Sequence, residues 1–101
     1  MTKIAKLILS DKKKNKEIIR LCAEITSDVF KKNAKHFFAE PIDPKTIKKY
    51  HDQIVSLRKK IITQNLSTDK DIKTFSDSDI YNEIARSVSL KILRKEANKK
   101  H

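Results

Sequence analysis

The sequence predicts an all-α fold, a three-helix bundle with short additional helices, and three observations carry that prediction. Glycine is absent from all 101 residues, which removes the Asn-Gly and Asp-Gly turns that tight β-hairpins use. Both prolines lie between Glu40 and Lys45, so no other segment carries the residue that breaks helix interiors. Apolar residues recur at steps of three and four, which gives each helix one face to bury. The length suits a single helical domain, residues 1–101, able to bury a core without disulfide or metal.

Lys3 to Leu9 forms two amphipathic turns with Ile4, Leu7 and Ile8 on one side. Ser10 and Asp11 offer a cap, and Asp11 to Lys16 is a charged, exposed approach. A long helix is expected over Lys13 to Lys35, with Ile18, Cys22, Ile25 and Val29 as its stripe and Ile19, Leu21 and Phe30 beside it. Phe37 and Phe38 continue the apolar load as core plugs. Asp43 followed by Pro44 is a helix start, a cap residue and then proline at the first helical position. The helix from Pro44 to Thr63 buries Ile47, Tyr50, Ile54, Leu57 and Ile61. Its other face carries Lys45, Lys48, Lys49, Arg58, Lys59 and Lys60.

The stretch Leu57 to Ile84 then specifies a hinge. A polar link from Thr63 to Asp69 offers Ser67 as the cap of a short helix, Thr68 to Phe75, with Ile72 and Phe75 facing in. Ser76 with Asp79 forms a capping box at the start of the last helix, Asp77 to Ala97. That helix buries Ile80, Ile84, Val88 and Ile92, with Leu90 and Leu93 alongside. Acids gather at its start and Arg94, Lys95, Lys99 and Lys100 at its end, which complements the helix dipole.

Composition narrows the function. The single Cys22 excludes an internal disulfide and any Cys-rich zinc fold, and its apolar helix face makes it a small core residue. No apolar run reaches the roughly 18 residues of a membrane span, so a soluble, intracellular protein without membrane contact is expected. The lack of glycine removes phosphate-cradling loops. His36, His51 and His101 lie far apart, and His51 with adjacent Asp52 cannot form a relay because neighbours point to different helix sides. No catalytic residue set and no cofactor is expected, so the chain is not read as an enzyme. Twenty Lys and four Arg against thirteen acids give +11, which favours an acidic partner, nucleic acid or protein. Few Arg and no Trp argue against sequence-specific base recognition.

Leu57, Arg58, Lys59, Ile61, Ile62, Asn65 and Leu66, followed by Ser67, Thr68 and Asp69, resemble the central domain of the transcription elongation factor S-II (TFIIS) family. Phe75, the segment Ser76-Asp77-Ser78-Asp79-Ile80 and the terminal Leu93 to Ala97 extend that resemblance. Leu21 to Ile25, Val29-Phe30 and the trio Ile47, Tyr50 and Asp52 are similar to its earlier helices. The family's link glycine is Gln64 here, and the proline of its turn is missing. The resemblance implies a helical domain that docks on RNA polymerase, through Arg58, Lys59 and Lys60 with Lys48 and Lys49 as neighbours. It also implies a monomer at a site of transcription such as the nucleus. Transcript cleavage belongs to a separate zinc ribbon in that family, and these 101 residues hold no such ribbon.

Two alternatives stay open. One is a basic helical module with weak, non-specific contact to nucleic-acid phosphates. The other is a divergent bromodomain-like acetyl-lysine reader, because Phe38 to Asp43 and Phe75 through Tyr81-Asn82 are similar to two landmarks of that family.

Overall fold

Residues 2–32, 42 and 44–99 are described in the computed structural model, with side chains as far as residue 94. The all-α expectation holds, with no strand among the described residues. Helix α1 spans Lys3–Ser10, α2 Lys16–Lys32 and α3 Pro44–Ile47. A 3₁₀ turn, Lys48–Tyr50, leads into α4, His51–Thr63. Short helices α5, Asp69–Ile72, and α6, Asp77–Asp79, precede a π-helical stretch, Ile80–Ala85, that runs on into α7, Arg86–Lys99. Phe37, Phe38, Pro41 and the Asp43 cap lie outside the described residues, as does residue 33 onward of the second helix.

Helix α2 is central and packs against α4, the π stretch and α7, while α1 lies across the π stretch and α7. The stripes meet in one core. Ile18, Cys22, Ile25 and Val29 of α2 face Ile47, Tyr50, Ile54, Leu57 and Ile61, and all nine are buried. Ile4, Ala5 and Ile8 close the core from α1, where the missing β-carbon branch of Ala5 permits close approach. Leu7, expected inside, is 36% exposed; Phe30 and Leu93 stand out at 44% and 47%.

Caps decide where the helices stop. Thr2 Oγ1 accepts the Ala5 N–H at α1. The second helix begins at Lys16 rather than Lys13, because Asp11 and Asn15 organise a separate turn. Asp11 Oδ1 accepts the Lys14 N–H, and Asn15 Nδ2 donates to Ile8 C=O at the end of α1. The helix expected from Pro44 to Thr63 is interrupted at the 3₁₀ turn, whose Tyr50 closes against Asp28 of α2. Thr68, not Ser67, caps α5: its Oγ1 accepts the Asp71 N–H, while Ser67 Oγ donates to Thr68 C=O. The Ser76–Asp79 capping box forms in both directions, at 3.1 Å each.

The end of α4 solves the absence of glycine. Asn65 adopts φ 59°, the left-handed conformation, and its N–H donates to Ile62 C=O while Leu66 N–H donates to Ile61 C=O. This is the paired Schellman closure, with asparagine in the position that glycine usually takes.

The π stretch also shapes the core. Ile80, Ile84 and Val88 form one buried row, and Tyr81, Ala85 and Ser89 a second, both at steps of four. In a regular α-helix a step of four drifts by about 40°, and three steps would carry a row off the core. The wider turn, closed by Arg86 N–H on Tyr81 C=O, takes up that drift. The second row brings Ser89 Oγ to 2.9 Å from Thr26 Oγ1, which also meets Cys22 C=O at 2.8 Å. Among the described residues, the buried Tyr81 hydroxyl and Asn15 Oδ1 have no hydrogen-bond partner. Burial raises the Tyr81 phenol well above its ordinary pKa, so it stays protonated.

Asn65→Ala is expected to lose about 1 kcal/mol, the penalty for a β-carbon in the left-handed region. Asn65→Gly should stay within about 0.5 kcal/mol of the parent. Urea unfolding of both variants measures this, and equal losses would contradict the Schellman assignment.

Candidate functional site

The five basic residues singled out by sequence do not form one patch. Lys48 and Lys49 are exposed on the 3₁₀ turn, and Lys59 is exposed on α4 opposite the buried row. Lys60 is half-buried on one flank. Arg58 lies on the other flank and faces inward, its side chain only 21% exposed. Adjacent residues of a helix are about 100° apart, so three consecutive cations must point three ways.

Arg58 is the centre of a polar cluster that spans the hinge. Its Nη1 donates to Ile72 C=O at 3.0 Å, and Nη2 donates to Phe75 C=O at 2.8 Å. Nη2 also donates to Asp77 Oδ1 at 3.0 Å. The second oxygen of Asp77 lies 2.7 Å from His51 Nδ1. His51 and Arg58 are seven residues apart, two turns along one flank of α4, so Asp77 bridges them from the start of α6. Burial opposes ionisation of Asp77, but the hydrogen bonds from His51 and Arg58 outweigh it and hold the carboxyl below its ordinary value. His51 therefore acts with Asp77, across the hinge, rather than with its neighbour Asp52. Asp77 also does more than favour a helix N-terminus.

A second cluster ties α2 to the 3₁₀ turn. The Tyr50 hydroxyl donates to Asp28 Oδ2 at 2.6 Å, and Lys32 Nζ lies 3.3 Å from the same oxygen. Lys32 also sits 6.0 Å from the Tyr50 ring centroid. Tyr50 and Lys32 lower the Asp28 pKa, while burial and that carboxylate push the Tyr50 phenol up to about 12. The arrangement places the start of α4, and with it Lys48 and Lys49, beside the end of α2.

Cys22 is fully buried, and burial drives its thiol up to about 12, where it is a core residue and not a nucleophile. Asn82, the landmark of the acetyl-lysine reading, turns its amide to the backbone of Ile42. Its Oδ1 accepts the Ile42 N–H at 3.1 Å, and its Nδ2 lies 3.5 Å from Ile42 C=O. Among the described residues no three His, Cys, Asp or Glu side chains gather where a metal could bind. No helix among them is long and apolar enough to cross a membrane. Neither a protein-family model, nor a curated protein, nor a solved structure matches the chain.

Sequence pattern alone missed the Arg58–Asp77–His51 cluster. Its signal was present: Asp77 opens a helix within reach of the short hinge, and His51 and Arg58 share one helix row.

Arg58→Met keeps the aliphatic stem but abandons the two carbonyls, so a loss of about 2 kcal/mol is expected in urea unfolding. Asp77 has a lowered folded-state pKa, so its contribution is present above the unfolded carboxylate pKa near 3.8 and disappears as pH falls below it. Thermal unfolding from pH about 6 to about 2 should accordingly show a shallower decline for Asp77→Asn than for the parent. Parallel curves would remove Asp77 from the acid-sensitive set.

Proposed function

We propose that this chain is an RNA-polymerase-docking helical module of the transcription elongation factor S-II type. The observation that carries the reading is the division of labour along α4: one side buried, one flank clamped to the hinge, and lysines on the remaining exposed surface. Lys48, Lys49 and Lys59, with the half-buried Lys60, supply the docking charge. Arg58 supports the reading as a positioning residue, since it fixes the hinge whose sequence resembles the family. A rigid helix that displays lysines lowers the entropy lost when an acidic surface binds, because the backbone is already ordered. A positive field of this size also speeds encounter with an acidic partner, and salt weakens that effect. The acetyl-lysine reading has less support, because the Asn82 amide is engaged with Ile42.

Replacing Lys48, Lys49, Lys59 and Lys60 together by Glu is expected to reduce capture of purified RNA polymerase at least about tenfold, with helical circular dichroism unchanged. Unaltered capture by a folded variant would refute the docking surface. Arg58→Glu tests a different property, since it places an acid beside Asp77 and two carbonyls and should unfold the hinge.

A further inference from the structure

The turn between α1 and α2 carries Lys12, Lys13, Lys14 and Lys16, none of them among the residues assigned to polymerase docking. All four side chains are exposed. The backbone beneath them is ordered by three hydrogen bonds. Lys14 N–H donates to Asp11 Oδ1, Asn15 N–H to Asp11 C=O, and Asn15 Nδ2 to Ile8 C=O. Asn15 itself is buried at 2% exposure, so it anchors the turn from below.

Three of the charges on this turn, those of Lys13, Lys14 and Lys16, have no acidic side chain paired with them among the described residues. Other cations have acidic partners: Lys32 with Asp28, Lys73 with Asp69, Arg58 with Asp77. Lys13, Lys14 and Lys16 make no ion pair among the described residues. The two nearest acids in sequence are already engaged, Asp11 by the Lys14 amide and Glu17 by the Arg20 guanidinium at 2.7 Å. Ammonium groups held close together repel one another, so a polyanion bound there relieves repulsion as well as adding attraction.

We infer that this turn is a contact site for the phosphate backbone of nucleic acid. The chemistry selects that partner. Lysines on adjacent residues act as point charges and suit phosphates that repeat every few ångströms along a strand. The turn has no Arg fork for paired carboxylates and no aromatic anchor of the kind that dominates protein interfaces. A bilayer surface would call for an apolar wedge beside the lysines. Next to the turn in sequence, Leu7 is 36% exposed and Leu9 and Ile19 are half-buried, and the turn itself carries no apolar side chain. The contact does not distinguish sequences, because nothing on the turn reads base edges. It is independent of the polymerase reading and stands or falls by its own measurement.

The full chain, titrated into a fluorescent duplex of about 20 base pairs over a salt series, is expected to show a log affinity that falls linearly with log salt. Lys13, Lys14 and Lys16 replaced by Gln should lower that slope by about 2 to 3 and weaken low-salt binding at least about tenfold. Lys70, Lys91 and Arg94 replaced by Gln remove the same charge elsewhere and should leave the slope near the parent's. Equal slopes for the two variants would overturn the site, as would no duplex binding at low salt. Binding of the parent to vesicles containing phosphatidylserine, lost in the Lys13 variant while duplex binding persists, would overturn it in favour of a membrane surface. Circular dichroism of both variants excludes unfolding as the cause.

Discussion

The hinge of this protein depends on one guanidinium. Helix α5 is four residues long, far below the length at which a helix holds by its own hydrogen bonds. The turn that follows it leaves carbonyls that need outside donors. Arg58 reaches back from α4 to Phe75 C=O and to Ile72 C=O, which also accepts the Phe75 N–H, then binds the first residue of α6. Burying Ile72 and Ile80 brings the segment to the core, but hydrophobic contact is not directional. The fork is directional, and it sets the angle at which the last helix departs.

Much of the fold was legible because apolar spacing records burial directly. The row from Ile47 to Ile61 and the α2 row from Ile18 to Val29 were readable residue by residue, as was the Ser76–Asp79 box, since each depends on local periodicity or a three-residue reach. What sequence obscured was long-range. Arg58 belongs by composition to a run of cations, and only the position of Ile72, Phe75 and Asp77 in space removes it from the surface. The start of α2 was misplaced for a related reason: Lys13 and Lys14 are good helix formers, but Asn15 caps the preceding helix and outweighs their propensity. The steps of four in Ile80, Ile84, Val88 and Ile92 were visible from the start. They were an unrecognised sign of the wider turn that keeps Ile80, Ile84 and Val88 in one buried row, with Ile92 half-buried beyond it.

Charge is distributed with a comparable logic. Cations near the hinge and near Asp28 have partners within the protein, whereas Lys59 on the outer face of α4 and Lys13, Lys14 and Lys16 after α1 make no ion pair among the described residues. The net charge of +11 is therefore not a uniform coat. It is concentrated, in electrostatic effect, where the backbone is held still by caps and by buried side chains. Lysine dominates over arginine at these places, which suits contacts that tolerate variation in the partner's geometry.

The π stretch has a consequence for how the chain can change its length. A π turn holds one residue more than the α turn it replaces. Deleting any residue between Ile80 and Ala85 would restore ordinary helix geometry and, locally, better hydrogen bonding. The residues downstream would stay in phase, because the turn closes with one residue fewer. Forcing α geometry with every residue kept would instead rotate everything downstream by about 100°. Val88 would then leave the core, and Ser89 would turn away from Thr26 on the central helix. The bulge is how one long helix absorbs an extra residue and still presents both of its halves to the same core.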